Sequence, residues 1–201
     1  KSLFIPPGPG DESISIGAAY LATLKNKGRD THMNIPNFDP YCGSSYDESK
    51  ISLFLSNLNS QNWSYKKVSI KDVAILLSEG EIVARFGSGN MEFGARALGN
   101  RSILADPRRA DVIHYLNKLV KMRDFWMPFA PSILEERSSD YLINNKNNKS
   151  KYMAISYFSK SLATKDLPAG LHPFDKTSRA QIVCKEDNEE YHQLIKEFEN
   201  I

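Results

Sequence analysis

The chain has 201 residues, which suits one domain or one domain with a piece of another. Its 26 basic and 24 acidic side chains leave a formal net charge of +2, so no overall basic field favours a nucleic-acid-binding protein. No apolar run reaches membrane-spanning length, the first residues lack a signal-peptide pattern, and the two cysteines, Cys42 and Cys184, fit no metal-binding spacing. These features favour a cytoplasmic protein over a secreted or membrane-spanning one.

The first 67 residues predict a short strand and two helices that precede the main domain. A short strand at residues 3–5 ends at two prolines, and a turn at residues 8–11 leads into a helix that Gly28 ends. Residues 29–45 predict a loop, whereas residues 46–58 predict an amphipathic helix. We place the main domain boundary between residues 45 and 68. The start without methionine suggests a processed chain or a piece of a longer one.

Helices and strands alternate through the rest of the chain, which predicts an α/β fold. Ser69 and Asp72 have capping-box spacing and begin a helix that Gly80 ends. The later predicted helices cover residues 112–119, 136–143 and 188–198, and the predicted strands cover residues 81–86, 102–105, 132–134, 152–158 and 179–184. The segments 121–131, 144–150 and 159–175 are predicted to be irregular.

The most unusual stretch is residues 87–102, GSGNMEFGARALGNRS, which follows a short apolar run. Glycine lets the backbone approach a ligand closely, and the guanidinium groups of Arg96 and Arg101 suit phosphate or carboxylate. The pattern is typical of a loop that leaves a strand and wraps an anionic ligand. A glycine-rich hairpin with two solvated arginines fits the composition equally well.

Basic side chains collect beside predicted strand ends, where α/β folds bind ligands. Lys121 and Arg123 occupy alternate positions of a segment that we expect to be extended, so both should point to one side. Together with Arg96, Arg101 and Arg179 they could hold a polyphosphate, because each charge-assisted hydrogen bond contributes about 1.5–3 kcal/mol when desolvated. The alternative is a set of surface cations, each paired with a carboxylate and worth little.

Three polar residues of the loop are further candidates. Glu92 either orients Arg96 or binds a Mg²⁺ ion that accompanies a nucleotide, and we favour the orienting role. Asn100 and Ser102 are better suited as amide and hydroxyl donors to a ligand than as nucleophiles. The four histidines show no metal-ligand spacing and no catalytic triad is indicated, so we expect no protein-held metal in this chain.

The motifs along the chain resemble those of the nodulation and antibiotic O-carbamoyltransferases, the NodU/CmcH type. Residues 91–108, MEFGARALGNRSILADPR, are similar to the family signature MEFGPRALGNRSILADPR. The segments that begin at Lys121 and at His172 resemble the family's K-x-R-E…PFAPS and H-x-DGTxRxQ motifs, and residues 10–19 resemble its GDDGxAxGAA motif. These matches cover most of the chain in the family's order.

The resemblance implies a twisted mixed sheet of the YrdC type with flanking helices, preceded by a remnant of an actin-like domain. Residues 1–45 would be the C-terminal remnant of the actin-like carbamoyl-transfer domain, residues 46–67 a helical linker, and residues 68–201 a YrdC-like domain. That domain would bind carbamoyl phosphate and ATP, with Mg²⁺ on the nucleotide, and form carbamoyl-adenylate for transfer to an acceptor hydroxyl. The family's metal site and the remainder of its actin-like domain have no match in this chain.

The same resemblance implies which residues form the active site. The expected catalytic residues are Arg96, Lys121 and Arg123, and the expected substrate- and nucleotide-binding residues are Glu92, Gly94, Asn100, Arg101, Ser102, Arg179 and Gln181.

Among the departures from the family's pattern, two near the signature keep alternatives open. Asn90 and Ala95 stand where the family has arginine and proline, which removes one cation and loosens the loop before Arg96. The alternatives to an adenylate-forming enzyme are a YrdC-like nucleotide- or RNA-binding module and a degenerate, non-catalytic docking domain.

Overall fold

The structure, a computed structural model, describes residues 5–28, 39–58, 64–124 and 126–201, apart from the side chain of Leu119. The strand predicted at residues 3–5 lies almost entirely outside this part. Within the described ranges, every helix is too short or too polar to cross a lipid bilayer.

The described chain contains both helices and short strands, which confirms the mixed α/β class. The α-helices are α1 Ile14–Lys27, α2 Glu48–Ser56, α3 Ile70–Ser78, α4 Asp111–Tyr115, α5 Ser138–Tyr141, α6 Ser161–Asp166 and α7 Glu189–Glu199. The strands are β1 Val83–Phe86, β2 Arg101–Leu104, β3 Ser132–Leu134, β4 Leu142–Ile143, β5 Phe158–Ser159 and β6 Gln181–Val183. A one-turn π-helix, Leu116–Lys121, continues α4.

The strands form three separate pairs in the described chain, where we expected a single mixed sheet. β1 pairs with β2 and β4 with β5 in antiparallel ladders, while β3 and β6 are parallel. Strands of two to four residues, separated by long irregular segments, leave few backbone groups for a wider ladder. The class is therefore as predicted, and the YrdC-like arrangement of its sheet stays a prediction.

The core forms where α3 and α7 pack together beside the β3–β6 pair. Ser69 begins α3 with a complete capping box, as predicted, because its hydroxyl accepts the N–H of Asp72 and the Asp72 carboxylate accepts the N–H of Ser69. The buried residues of this cluster are Ala74, Leu77, Val183, Tyr191 and Leu194. A second cluster is built around Ile133 of β3, Leu142 of β4 and Ala163 of α6.

The first two helices contribute nothing to this core. Neither α1 nor α2 has a buried residue, and the apolar side chains of Ile14, Leu21, Leu53 and Phe54 are more than half exposed. This difference from the rest of the chain is compatible with the predicted boundaries at residues 45 and 68, which stay predictions.

Several local predictions are wrong, and the helix predicted at residues 136–143 ends at Tyr141, where strand β4 follows. The alternation of residues 152–158 predicts a strand, but only Phe158 enters one, and Tyr157 makes an isolated bridge to Ser178. The apolar alternation reflects burial beside the second cluster without a neighbouring strand to complete a ladder. The segment 159–175 is predicted to be irregular, yet it contains α6, which ends shortly before Pro168 because proline cannot continue a helix.

Candidate functional site

We call residues 87–102 the glycine-arginine loop. A cavity of about 340 Å³ opens between this loop, the end of the π-helix and the segment before β3. Four cationic side chains from separate parts of the chain line it: Arg96, Lys121, Arg123 and Arg179. The lining also has an apolar part that comes from α3, α4 and α7, with Leu77, Val112, Leu194 and Phe198. A cavity of this size, with a few polar groups on an apolar frame, has the composition of a small-molecule site.

The cations of this cavity have no acidic partners within the described ranges. No carboxylate of the described chain lies within 4.0 Å of a nitrogen atom of any of the four side chains. Asp106 lines the cavity, but both of its carboxylate oxygens bind the Arg108 guanidinium, at 2.7–2.9 Å. The positive charge of the cavity is therefore available to an anion.

Arg123 shows how closely these charges approach one another. Burial lowers the pKa of its guanidinium, and the nearby positive charges of Arg96 and Arg179 lower it further. Its guanidinium carbon lies 4.4 Å from the centre of the Phe129 ring, a cation–π contact. A bound polyanion would neutralise these like charges and relieve their mutual repulsion.

The structure corrects our reason for placing Lys121 and Arg123 together. The segment is not extended: Lys121 ends the π-helix, and Met122 has a left-handed backbone with φ of 48°. The sharp turn at Met122 leaves its own side chain 87% exposed while its two neighbours line the cavity. The two cations therefore share a site because a helix ends between them, and not because of strand alternation.

The contacts of Glu92 in the structure differ from both roles that we considered for it, and a direct role in ligand binding stays a prediction. Its side chain is buried, and Oε1 accepts the backbone N–H groups of Leu98, Asn100 and Arg101 at 2.8, 2.6 and 3.0 Å. The carboxylate thus organises the loop backbone rather than the Arg96 side chain. Glu92 is also absent from the lining of the cationic cavity.

Two more candidates are engaged with the loop itself. The Asn100 amide donates to the carbonyl of Asn90 at 2.8 Å, and its Oδ1 accepts from Asn188 at 2.9 Å. Arg101 stacks over the Phe86 ring at 3.7 Å, and its Nη1 donates to the carbonyl oxygens of Gly87 and Asn100. Neither residue lines the cavity, so a direct contact with a ligand stays a prediction for both.

The remaining candidates divide between the cavity and its surroundings. Ser102 lines the cavity, and its Oγ accepts the N–H of Gly99 at 2.9 Å. Gln181 lies behind the wall, where Nε2 donates to the Leu98 carbonyl at 2.9 Å and Oε1 accepts from Ser132, which itself lines the cavity. Gly94 has a positive φ of 102°, and a Cβ there would lie 2.8 Å from the Pro7 carbonyl oxygen.

A magnesium ion held by this chain alone does not fit the described residues. They contain no group of three or more histidine, cysteine, aspartate or glutamate side chains that could hold a metal. The one carboxylate identified in the cavity lining, Asp106, is already bound to Arg108. Any Mg²⁺ at this site would have to bring most of its oxygen ligands with it, as it does on a nucleotide.

Asn117, which is fully buried in the π-helix, contacts a cation of the cavity and was not revealed by the sequence motifs. Its Oδ1 accepts the Nε–H of Arg123 at 2.6 Å, and its Nδ2 donates to the carbonyl of Met127 at 2.9 Å. The available signal was the position of Asn117, which stands in an apolar helical pattern four residues before Lys121. A buried amide requires hydrogen-bond partners.

Comparisons with known proteins agree with the motifs. The family described as "Carbamoyltransferase C-terminus" matches residues 74–201. An uncharacterized protein of Methanocaldococcus jannaschii is 36% identical over all of this chain and 33% of its own length. Nodulation protein U of Sinorhizobium fredii is 29% identical over all of this chain and 33% of its own length, and nodulation protein NolO of Bradyrhizobium diazoefficiens is 29% identical over 98% of this chain and 36% of its own.

These relatives are much longer than the chain, which spans about one third of their length. The family match begins inside α3 and includes the whole glycine-arginine loop and every cation of the cavity. The chain therefore belongs to the carbamoyltransferase family and corresponds to the C-terminal part of a NodU-type carbamoyltransferase.

Proposed function

We propose that this chain binds ATP and carbamoyl phosphate and forms carbamoyl-adenylate, which a longer carbamoyltransferase then uses to carbamoylate an acceptor hydroxyl. The observation that carries the proposal is the cationic cavity. Arg96, Lys121, Arg123 and Arg179 meet there without a carboxylate partner among the described residues. Both proposed substrates are phosphate anions, and arginine forks suit their oxygen atoms.

The chemistry of adenylation suits a site of this kind. Water first cleaves carbamoyl phosphate to carbamate and inorganic phosphate. A carbamate oxygen then bonds to the α-phosphorus of ATP while the bond from that phosphorus to pyrophosphate breaks, so negative charge moves onto the leaving pyrophosphate. Such a reaction needs positioned cations and hydrogen-bond donors more than a protein nucleophile. In this proposal Arg96 and Lys121 neutralise the phosphate oxygens, Arg123 and Arg179 hold the leaving pyrophosphate, and the Ser102 hydroxyl donates to the substrate.

The rest of the cavity supports a substrate with an apolar part. Leu77, Val112, Leu194 and Phe198 line the same cavity as the cations, and such a surface suits a nucleobase better than water. Magnesium would bind as a companion of the triphosphate, in keeping with the scarcity of free carboxylates in the described lining. The acceptor and the remainder of the enzyme belong to the proposal and lie outside this chain.

Isotope exchange tests the proposal directly. The chain should catalyse exchange of labelled pyrophosphate into ATP only when carbamoyl phosphate is present, since adenylate formation is reversible. Lys121→Ala and Arg179→Ala should each lower the exchange rate at least tenfold, because a charge-assisted hydrogen bond of about 1.5–3 kcal/mol is lost. Arg109→Ala is the matched control, because Arg109 is exposed and paired with Asp111.

Calorimetry can give the result that would contradict the proposal. If titration of the folded chain detected neither ATP nor carbamoyl phosphate, the proposal would be wrong. A salt-dependent shift of RNA on a gel, with no binding of either ATP or carbamoyl phosphate, would favour the RNA-binding alternative instead.

A further inference from the structure

Two hydrogen bonds join Arg123 to Asn117. The Nε–H donates to Oδ1 of Asn117 at 2.6 Å, and the backbone N–H donates to the Asn117 carbonyl at 3.1 Å. That carbonyl also accepts the N–H of Met122, the residue with the left-handed backbone. Asn117 is therefore the point at which the π-helix, the turn and the cation are joined.

The orientation of the Asn117 amide is determined by its partners. Nδ2 donates to the carbonyl oxygen of Met127 at 2.9 Å, so the opposite atom that faces Arg123 has to be the acceptor. The same side chain thereby ties the π-helix to the segment that leads to β3. Since Asn117 has 0% exposure, water does not reach its amide, whereas Arg123 itself is exposed.

The acceptor that Arg123 contacts is a neutral amide and not a carboxylate. Arg123 lies near the positive charges of Arg96 and Arg179, which repel it from the cavity. A carboxylate would hold Arg123 more strongly but would cancel the charge that a phosphate ligand needs. An amide holds the guanidinium on its Nε side and leaves its charge intact, while the Phe129 ring supports one face.

The π-helix brings Asn117 and Arg123 together. One-turn π-helices are rare and are often found at functional sites. Here the wider turn lets the carbonyl of Asn117 accept from residues five and six positions later, Met122 and Arg123. An ordinary α-helical turn would use the N–H of Lys121 instead, and the chain would continue past the cavity.

We infer that Asn117 is a positioning residue, which holds Arg123 by a neutral amide so that its full positive charge faces a phosphate group in the cavity. This inference rests on the proposed function, because it assumes an anionic ligand. Asn117 itself does not touch the substrate. Its effect on binding passes through Arg123.

Binding of inorganic pyrophosphate, measured by calorimetry on the full chain, tests the inference. Asn117→Ala should weaken binding about tenfold, the loss of one charge-assisted hydrogen bond. In an Arg123→Lys background the same substitution should weaken binding less than about twofold, because lysine keeps the charge but has no Nε–H for Oδ1. An equal loss in both backgrounds would mean that Asn117 only supports the fold, and the inference would be overturned.

Asn117→Asp tests two points separately: whether residue 117 holds Arg123, and whether the acceptor has to be neutral. The Nε–H resonance of Arg123, observed by NMR, should exchange slowly with solvent in the unaltered chain and in Asn117→Asp, and rapidly in Asn117→Ala. Pyrophosphate affinity should nevertheless fall in Asn117→Asp, because a carboxylate neutralises the cation. Affinity that is retained in Asn117→Asp would contradict the role of a neutral acceptor.

Two further controls keep the outcomes distinct. Leu142→Ala removes a fully buried side chain from the second core cluster and should lower stability without changing affinity. If the unaltered chain bound none of pyrophosphate, ATP and carbamoyl phosphate, the proposed function would be wrong. The NMR exchange of Arg123 would still decide whether Asn117 holds it, so the two failures can be told apart.

Discussion

Glu92 accepts the backbone N–H of Asn100 at 2.6 Å, and this contact is one of three that close the glycine-arginine loop. The same oxygen also accepts the N–H groups of Leu98 and Arg101. The buried carboxylate thus holds the backbone of the loop in place through hydrogen bonds. The loop then delivers Arg96 and Ser102 to the cavity lining.

Removal of this carboxylate should destabilise the protein. Glu92→Ala leaves three backbone donors without their acceptor, two of them on buried residues, and we expect the free energy of unfolding to fall by about 2–4 kcal/mol. Glu92→Gln keeps one neutral acceptor oxygen and should lose about half as much. Denaturation by urea measures both changes, with the exposed Glu81→Gln as the control. Equal stability of Glu92→Ala and the unaltered chain would show that the loop does not depend on this residue.

Two glycines should respond to alanine in opposite directions. Gly99 has φ of 121°, and a Cβ there would lie 2.5 Å from Cδ1 of the buried Tyr191 ring, so Gly99→Ala should cost about 3 kcal/mol or more. Gly17 is an exposed residue within α1, and no atom lies within 4 Å of the position that a Cβ would take. Gly17→Ala should therefore stabilise the helix by about 0.5–1 kcal/mol.

Thermal denaturation distinguishes these two glycine variants. The melting temperature should fall sharply for Gly99→Ala and rise slightly for Gly17→Ala. A Gly99→Ala protein with an unchanged melting temperature would require the Tyr191 ring to move, which would contradict the close packing of the loop on α7.

A polyanion should stabilise the folded chain by binding to the cationic cavity. At one hundred times its dissociation constant, pyrophosphate adds about 2.7 kcal/mol, or about 5–10 °C in melting temperature for a protein of this size. Arg179→Ala should weaken binding about tenfold and so reduce the shift to about half at the same concentration. Arg109→Ala should keep the full shift, since its partner is Asp111, and an equal reduction in both variants would argue against the cavity.

The buried thiol of Cys184 should make stability depend on alkaline pH. Burial raises the pKa of this thiol from 9.0 to about 12, and the Glu135 carboxylate contributes to the increase. A raised pKa in the folded state means that its contribution to stability is complete below about pH 9 and is lost as pH rises from about 9 to 12. At about pH 10 the loss is about 1.4 kcal/mol relative to neutral pH.

Cys184→Ala removes this titration and serves as the comparison. Urea denaturation at about pH 7 and at about pH 10 should show a smaller decrease for the variant than for the unaltered chain. Identical decreases would mean that the thiol ionises equally easily in the folded and unfolded states. Exposed Cys42 offers a matched variant, Cys42→Ala, which should leave the decrease unchanged.

Local sequence rules predicted the elements that depend on neighbouring residues. The capping box at Ser69 and the amphipathic helix that Asn188 caps formed where the pattern placed them, because both need only contacts three or four residues apart. The same rules failed for the segment 152–158. Whether an alternating segment becomes a strand depends on a partner elsewhere in the chain, and its own sequence carries no information about that partner.

The candidate site divides in the same way. The sequence by itself determined which residue types were present, namely four cations near strand ends and a glycine-rich loop with a carboxylate. Only the tertiary structure decided that Arg96, Lys121, Arg123 and Arg179 share one cavity, that Glu92 binds the loop backbone, and that Asn117 holds Arg123. The physical reason is that charge and hydrogen-bonding capacity belong to each residue, whereas their direction depends on how distant segments pack.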